Sequence, residues 1–392
     1  MQNRKLNILI IASWYKTGKN LTYGSFIEEQ ARMLQKQGHT ITVLHPSLKG
    51  TFIGSIRNRK TTFSIEKDKG ISVIRIEVAP PMPGLRSLAY HKLSKETLFK
   101  IQSLFNQIGL PDIIHSHSIF MGGVIANYLF KKINIPFIHT EHTSGLIFDF
   151  SKYPKSDKLI LTNVYKNAKK VLFVSEWFKN QMIKKYSLKT NQLEILNNLV
   201  DPFFFEGNIQ LNSTNIIKFI IIGDFQFRKQ HTLLLKAWSI VLNKHKNISL
   251  TIAGNGESKK ELINEAIHLQ INDSINWISR LNRNEVKNQI SNHDVVLSSS
   301  KIETFGLTIA EAISMGKPVV VTDSGGVRDI VTEKNGIITE QSPQAFAAGI
   351  IKLIERYATY DSKTIREYAY QNFSEETIGL KLEKIYSNIL EP

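Results

Sequence analysis

The chain has 392 residues, enough for two or three domains that each bury a core. It contains no cysteine, which excludes a disulfide framework and any metal site with thiolate ligands. The net charge of +16 is uneven: residues 1–200 carry 29 Lys and Arg against 12 Asp and Glu, whereas residues 201–392 carry 21 against 22. This asymmetry predicts that the N-terminal half binds an anionic partner, such as a membrane surface or a lipid pyrophosphate. The alternative is a lysine-rich surface that is only solvated. No nucleic-acid motif accompanies the charge, so nucleic acid is not an expected partner.

An apolar run at residues 6–12 follows Arg4 and Lys5, as in a signal peptide, but it is short and lacks a small-residue cleavage site. We interpret it as a buried strand. No stretch approaches the ~18–20 apolar residues that span a bilayer. The sequence therefore predicts a cytoplasmic protein, with peripheral contact to the inner face of the membrane as an extension of that prediction.

Short apolar runs alternate with helical patterns along the whole chain, which predicts parallel sheets covered by helices. In the first half a helix is predicted over 25–37 and a hairpin over 62–76. The other strands predicted there are Ile8–Ala12, Thr40–Leu44, Ile113–His115, Pro136–Thr140 and Val171–Val174. In the second half we predict a strand within 218–224, a helix over 229–243, and strands Ser249–Ala253, Ile275–Ile278, Val295–Leu297 and Val319–Thr322.

The polar stretch 206–215 is the best candidate for a linker between two α/β domains. We expect an N-terminal Rossmann-like domain over 1–200, a C-terminal domain over 201–372, and a helix over 373–392 that packs back on the N-terminal domain. Two such doubly wound domains would face a cleft, with ligands at the carboxyl ends of the strands.

Residues 85–101 have the pattern of a basic amphipathic helix. Its apolar positions are Leu85, Leu88, Leu93, Leu98 and Ile101, and its cations are Arg86, Lys92, Lys95 and Lys100. Such a helix either holds the protein at an anionic leaflet or packs on the core with a solvated basic face.

Glu303 and Glu311 are the most informative pair in the chain. A strand-like run precedes Glu303, and a helix-compatible run containing Glu311 ends at Gly316. Gly306 between them allows close approach of the backbone, and the helix start offers free N–H groups to a phosphate. Two carboxylates that can accept hydrogen bonds from hydroxyl groups, beside a phosphate-binding helix start, suit a nucleotide sugar. From spacing alone, a capping Glu303 and a solvated Glu311 are equally compatible.

The segment 297–326, Leu-Ser-Ser-Ser-Lys-Ile-Glu-Thr-Phe-Gly-Leu-Thr-Ile-Ala-Glu and onward to Gly-Gly, resembles the donor-site signature of family-4 retaining glycosyltransferases, the group 1 enzymes of GT-B architecture. The resemblance implies that Glu303 contacts the donor sugar and that Glu311 binds the ribose hydroxyls. It also places the intervening residues Phe305, Gly306, Leu307 and Thr308 in the donor site.

The loop 223–231 resembles the family run Gly-Arg-Leu-x-x-x-Lys-Gly, whose cations hold the diphosphate. Lys229 matches the family lysine, whereas Asp224 stands where arginine is usual and Gln230 replaces a glycine. We expect Arg228 to substitute for the missing arginine.

Three more residues are assigned through the resemblance. His142 matches the histidine of a Thr-x-His-Gly loop that contacts the donor sugar, with Thr143 in place of the glycine. Gly24 matches a glycine that lets the first loop approach the reacting sugar. Arg280 follows the strand that borders the nucleobase. Each could instead be an ordinary core, turn or surface residue.

These observations predict a retaining, metal-independent glycosyltransferase that needs no cofactor and uses a nucleotide-diphospho sugar as substrate. Its acceptor would be a glycan or a lipid-linked molecule, in bacterial surface polysaccharide or glycoconjugate synthesis. No metal-binding spacing is present. Two alternatives remain: a nucleotide-sugar epimerase or phosphorylase of the same fold, and a non-catalytic nucleotide-sugar-binding protein.

Overall fold

A computed structural model describes residues 4–18, 23–48, 61–80, 86–149, 153–207 and 216–390. By its contacts the chain divides into two compact units. The first unit contains the residues up to Leu199 together with those from Ile378 onward, and the second unit is Val200–Thr377. Residues 373–377 of the predicted C-terminal segment therefore belong to the second unit. Most of the predicted linker, residues 208–215, lies outside the described residues.

The first unit is built on a sheet of eight strands. They are β1 (Asn7–Ala12), β2 (Thr40–Leu48), β3 (Thr62–Asp68), β4 (Ile71–Val78), β5 (Ile113–His117), β6 (Phe137–Glu141), β7 (Lys170–Phe173) and β8 (Leu193–Ile195). The order is β3-β4-β2-β1-β5-β6-β7-β8. The pairings are parallel except for the β3–β4 hairpin, which confirms the predicted hairpin. Central β1 is completely buried from Ile8 onward, as expected for a strand covered on both faces.

Helices cover this sheet. They are α1 (Ser25–Lys36), α2 (Arg86–Ile108), α3 (Val124–Ile133), α4 (Gly145–Asp149), α5 (Lys155–Asn167) and α6 (Glu176–Tyr186). The last helix of the chain, Glu375–Leu390, adds Ile378, Leu382 and Tyr386 to the core around β1. Apolar residues four apart lie on one helix face, so this helix buries a continuous stripe.

The second unit has a six-stranded parallel sheet in the order β11-β10-β9-β12-β13-β14. Its strands are β9 (Ile217–Ile222), β10 (Ile248–Ala253), β11 (Ile275–Ile278), β12 (Val295–Ser298), β13 (Val319–Thr322) and β14 (Gly336–Thr339). Its helices are α7 (His231–Lys244), α8 (Lys259–His268), α9 (Arg283–Asn292), α10 (Leu307–Ser314), α11 (Pro343–Glu355) and α12 (Ser362–Phe373). The last helix of the chain, Glu375–Leu390, which packs in the first unit, is α13. The predicted class, two doubly wound α/β domains, is confirmed.

The amphipathic pattern at 85–101 corresponds to α2, and Leu85 itself lies outside the described residues. Leu93 and Ile101 are completely buried in the first unit. Leu88 is 49% and Phe99 is 70% exposed. Leu93 and Ile101 thus pack on the core, whereas Leu88, another of the predicted apolar positions, and Phe99 are exposed. Within the described ranges, none of the helices combines the length and apolarity needed to cross a membrane.

Candidate functional site

A cavity in the second unit opens at the carboxyl ends of β9 and β12, where a parallel sheet places its ligand loops. Side chains of Lys229, His231, Ser300 and Glu303 line it, together with the first turn of α10. The predicted residues Lys229, Glu303, Gly306, Leu307 and Thr308 are therefore brought together at one place.

Lys229 and Glu303 form an ion pair inside this cavity, with 2.6 Å between Nζ and Oε1. Lys229 ends a short turn, Phe227–Lys229, and α7 begins at His231, two residues later than the sequence predicts. Gln230 between them has φ 48°, a left-handed conformation that glycine adopts most readily, and it stands where the family run that this loop resembles has glycine. The turn directs the Lys229 side chain back toward Gly223, and its methylene groups occupy the space beside the Cα of Gly223.

The backbone of Glu303 is fixed by the Gly-Gly end of the signature. Its N–H donates to the carbonyl of Ser324 at 2.8 Å, and its carbonyl accepts from the N–H of Gly326 at 2.9 Å. A Cβ on Gly326 would collide with the carbonyl of Thr304, so only glycine permits this approach. Burial alone would raise the pKa of Glu303, but the Lys229 ammonium, hydrogen bonds from Lys229 and Ser300, and nearby Arg228 together lower it. Glu303 is consequently ionised at neutral pH.

Helix α10 starts at the cavity without a side-chain cap. Gly306 is its N-cap with φ 109°, and Leu307 and Thr308 in the first turn line the cavity. Uncapped N–H groups at a helix start favour a bound anion. Phe305 has a different place: its side chain is buried against Phe373, with ring centroids 5.6 Å apart, and does not line the cavity.

Glu311 lies one turn into α10 and is 4% exposed, so the alternative of a solvated Glu311 is wrong. Its Oε1 accepts a hydrogen bond of 2.7 Å from Arg283 at the start of α9. Burial raises the pKa of Glu311, and the Arg283 guanidinium partly offsets that increase. Arg283 has no distinctive signal in the sequence, because a lone arginine at a helix start does not indicate a partner 28 residues away.

The two other predicted cations of this unit do not line the cavity. Arg228 is exposed, and its Nε donates to the side chain of Gln226 at 3.0 Å. Arg280 forms an ion pair with Asp224, with 2.7 Å between the guanidinium and the carboxylate. Asp224 is thus paired with Arg280, and the substitution of Arg228 for the missing family arginine stays a prediction.

In the first unit, His142 belongs to a buried histidine cluster at the carboxyl ends of β5 and β6. Its Nε2 is 3.1 Å from Nδ1 of His117, and its ring packs on Phe26 at a centroid distance of 4.6 Å. His117 stacks in turn on His115, which hydrogen-bonds the Tyr386 hydroxyl at 2.8 Å. Burial lowers the pKa of His142 to about 3, against the raising effect of Glu141, so the ring is neutral at physiological pH.

Gly24 is the N-cap of α1, with φ 71°. A Cβ at this position would collide with the carbonyl oxygen of Trp14, so the first loop of the unit folds directly onto the helix start. This is a packing reason for glycine that holds whatever ligand binds nearby.

Two family models together match most of the chain. The model of glycosyl transferases group 1 matches residues 206–372, and the model of glycosyltransferase family 4 matches residues 24–203. The chain belongs to the group 1 and family-4 glycosyltransferases.

Relatives of this glycosyltransferase are distant in sequence. An uncharacterized glycosyltransferase of Methanocaldococcus jannaschii is 23% identical over 83% of this chain and 87% of its own. The alpha-monoglucosyldiacylglycerol synthase of Streptococcus pneumoniae is 21% identical over 90% of this chain and 79% of its own. The structure of Anabaena HepE in complex with UDP-glucose matches with a TM-score of 0.71 at 16% identity, covering 98% of this chain and 100% of that one. At such identity the structural likeness shows the fold.

Several residues at the site of this glycosyltransferase were not foreseen. His231 and Ser300 line the cavity, and burial lowers the pKa of His231 to about 4, so that it is neutral. His117 is completely buried and contacts His142 directly. In the part of the chain that the structure describes, no group of three or more metal-binding side chains is close enough together to hold a metal ion.

Proposed function

We propose that this glycosyltransferase moves a sugar from a nucleotide-diphospho donor to a glycan or lipid-linked acceptor, with retention of the anomeric configuration and without a metal ion. The observation that carries the proposal is the Lys229–Glu303 ion pair at the uncapped start of α10. A cation and free N–H groups suit a diphosphate, and a buried carboxylate beside them suits sugar hydroxyls.

The reaction requires stabilisation of the leaving group. The bond between the anomeric carbon and the phosphate oxygen breaks, and its electron pair goes to the diphosphate. Lys229 and the first-turn N–H groups of α10 are positioned to receive that charge, so they fulfil the role that a divalent cation has in other transferases. We propose that Lys229 exchanges its contact with Glu303 for the phosphate when the donor binds.

Glu303, released by that exchange, would accept hydrogen bonds from the donor sugar. In the retaining route that we propose, the acceptor oxygen bonds to the anomeric carbon on the face that the diphosphate leaves, and its proton goes to the leaving phosphate. The family resemblance gives His142, whose ring is neutral at physiological pH, as a further hydrogen-bonding contact of the donor sugar. HepE in complex with UDP-glucose supports a nucleotide sugar as donor.

The function is tested first by binding and then by product analysis. UDP-, GDP- and ADP-sugars are screened by thermal shift, since a ligand of the folded state raises its stability. The stabilising donor is then incubated with candidate acceptors in the presence and absence of EDTA, and the new linkage is examined by NMR. We expect donor-dependent transfer, the same anomeric configuration in product and donor, and no loss with EDTA.

Three outcomes would contradict this proposal. Conversion of the donor without acceptor would indicate an epimerase. Conversion that depends on inorganic phosphate would indicate a phosphorylase. Donor binding without turnover under any of these conditions would indicate a nucleotide-sugar-binding protein.

We further propose that the acceptor is lipid-linked and that the first unit contacts an anionic leaflet, in bacterial surface polysaccharide or glycoconjugate synthesis. The name of the pneumococcal relative, a glucosyldiacylglycerol synthase, supports a lipid acceptor. The +17 charge of residues 1–200 and the exposed Leu88 and Phe99 on α2, beside Lys92 and Lys95, support the leaflet contact.

The leaflet contact predicts binding to anionic phosphatidylglycerol vesicles that weakens steeply with salt, because exposed charges are screened over about 8–10 Å. Replacing Lys92, Lys95 and Lys100 with glutamine should weaken vesicle binding by roughly 100-fold, at about 1 kcal/mol per cation. The matched control replaces Lys260, Lys334 and Lys352, exposed lysines of the second unit. Equal binding to neutral and anionic vesicles in sedimentation assays, or equal effects of the two triple variants, would remove the leaflet contact.

A further inference from the structure

Arg283 connects three parts of the second unit. Its Nη1 donates to Glu311 at 2.7 Å, and its Nη2 lies 3.7 Å from the carboxylate of Asp201. Its guanidinium carbon is 4.8 Å from the ring centroid of Phe204. Glu311 lies on α10, whereas Asp201 and Phe204 belong to the segment that begins the second unit.

The start of α9 holds Arg283 in place. Asn282 caps the helix by accepting from the N–H of Glu285, and the Glu285 side chain accepts from the N–H of Asn282, which is a complete capping box. The planar guanidinium can therefore stack on Phe204 and bridge two carboxylates at the same time, which a flexible ammonium does less well.

We infer that Arg283 is a positioning residue for nucleotide binding, which holds the Glu311 carboxylate charged and oriented so that it accepts the ribose hydroxyls of a nucleoside diphosphate. The inference rests on the proposed function, because it takes Glu311 as the ribose contact of the nucleotide donor, the role that the family resemblance implies. It adds a residue from outside the signature segment 297–326.

The physical argument concerns a buried carboxylate. Glu311 is 4% exposed, and a carboxylate in such surroundings stays ionised only with a compensating cation. Arg283 provides that cation through one oxygen, Oε1, and fixes the plane of the group. A hydroxyl donor binds a charged, oriented carboxylate more strongly than a neutral or mobile carboxyl group.

Two charged groups from neighbouring elements act on Glu311 with opposite sign. Burial and the Asp201 carboxylate raise the pKa of Glu311, whereas the Arg283 guanidinium and its hydrogen bond lower it. Removing Arg283 should therefore raise this pKa, and removing the charge of Asp201 should lower it. Since ribose binding needs the ionised form, nucleotide affinity should decline on acidification at a higher pH in the first variant and at a lower pH in the second.

The experiment measures binding of UDP, GDP and ADP by calorimetry from pH 5 to pH 8. Arg283→Met should bind the preferred nucleotide roughly 10–100-fold more weakly at pH 6, with the midpoint of the affinity–pH curve raised by roughly 1–3 units, the range for loss of an adjacent charge. Arg283→Lys should restore most of the affinity and the original midpoint. Asp201→Asn, which keeps the oxygen that accepts from the N–H of Phe203, should lower the midpoint.

Lys287→Met is the matched control. Lys287 lies one turn further along α9 and makes analogous contacts, to the ring of Phe203 at 3.9 Å and to Glu206 at 3.8 Å. Its loss should leave nucleotide affinity and the pH midpoint unchanged. An equal effect of Lys287→Met and Arg283→Met would mean that α9 acts through general stability, and would overturn the inference.

A double variant keeps the test decisive if Arg283→Met does not fold. Adding Arg283→Met to the Glu311→Gln variant removes both charges of the buried ion pair. The double variant should bind the nucleotide as well as Glu311→Gln alone, because Arg283 acts through Glu311. A further loss would overturn the inference. If the unchanged protein binds none of the three nucleotides, the proposed function fails; if it binds one and Arg283→Met binds it equally at every pH, only the role of Arg283 fails.

Discussion

The candidate site residues of the two units differ: the first unit contributes a histidine cluster, and the second unit contributes carboxylates paired with cations. In the first unit, His115, His117 and His142 are packed ring to ring and held neutral, because burial lowers the pKa of each. In the second unit, the part-buried Glu303 is paired with Lys229, and the buried Glu311 is paired with Arg283.

This difference has a consequence for ligand binding. A neutral cluster keeps its geometry whether or not an anion approaches, so it can present hydrogen-bonding groups without attracting counter-ions. An ion pair can exchange one partner for a charged or hydroxylated ligand, because the ligand replaces the interaction that is lost. The contrast suits a second unit that binds the charged donor and a first unit that orients neutral hydroxyls.

The largest expected effect tests the ion pair in the cavity. Lys229→Ala should lower turnover by roughly 10²–10³-fold, the scale of losing one preorganised group that stabilises transition-state charge. Folding is measured separately, because the variant leaves the part-buried Glu303 carboxylate without its cation. Donor consumption and circular dichroism measure both. Lys236→Ala on α7, which removes a half-exposed lysine, is the control and should retain full turnover. Near-normal turnover in folded Lys229→Ala would end the proposed role.

The two carboxylates should separate in a second experiment. Glu303→Ala should reduce sugar transfer about 10–100-fold and leave the affinity for free nucleoside diphosphate nearly intact, because the free nucleotide has no sugar to bind. Glu311→Ala should weaken the free nucleotide and the intact donor alike. Calorimetric titration of both variants with both ligands distinguishes them. Equal losses of free-nucleotide affinity would show that the sugar and ribose roles are assigned wrongly.

The neutral cluster predicts sensitivity to acid. The three histidines have lowered pKa values in the folded protein, whereas in the unfolded chain each titrates near ~6.5. As the pH falls below that value, the unfolded chain takes up protons that the folded protein does not, so the free energy of unfolding decreases. Each histidine contributes up to about 1.4 kcal/mol per pH unit.

His117→Gln should reduce this pH dependence by the share of one histidine. Hydrogen exchange of β5 and β6 peptides at pH 7.5 and 5.5 is the appropriate measurement, because His231 and His293 in the second unit also have lowered pKa values. A pH dependence that is unchanged in the variant would contradict a neutral, buried His117.

The smallest expected effect compares the glycines that begin α1 and α10. Gly306→Ala should cost about 1–2 kcal/mol for the left-handed backbone, since its Cβ would meet the flexible side chain of Val327 at 3.3 Å and make ordinary contacts with Ile330 and Ile309. Gly24→Ala has the same backbone cost plus a collision with the Trp14 carbonyl, and should be less stable than Gly306→Ala. Denaturant unfolding measures both, and the reverse order would show that the first loop adapts more readily than its packing indicates.

Much of the fold followed from local patterns. Continuous apolar runs such as Ile8–Ala12 became central strands because only a strand covered on both faces needs so many adjacent apolar side chains. Strands β8 and β14 were missed: Leu193–Ile195 and Gly336–Thr339 are three and four residues long and have no distinctive period. They are strands because β7 and β13 offer neighbouring backbone groups to pair with.

By itself, the sequence determined the two α/β domains, the family, and the residues of the segment 297–326 and the loop around Lys229 that meet at one cavity. That was feasible because those residues lie at the ends of strands in short, ordered motifs. Only the tertiary structure decided which charges face each other. Arg283 meets Glu311, Arg280 meets Asp224, and His115 meets Tyr386 across 271 residues of sequence. Such pairs depend on how helices and strands pack, and side chains on different elements share no periodicity that a sequence could display.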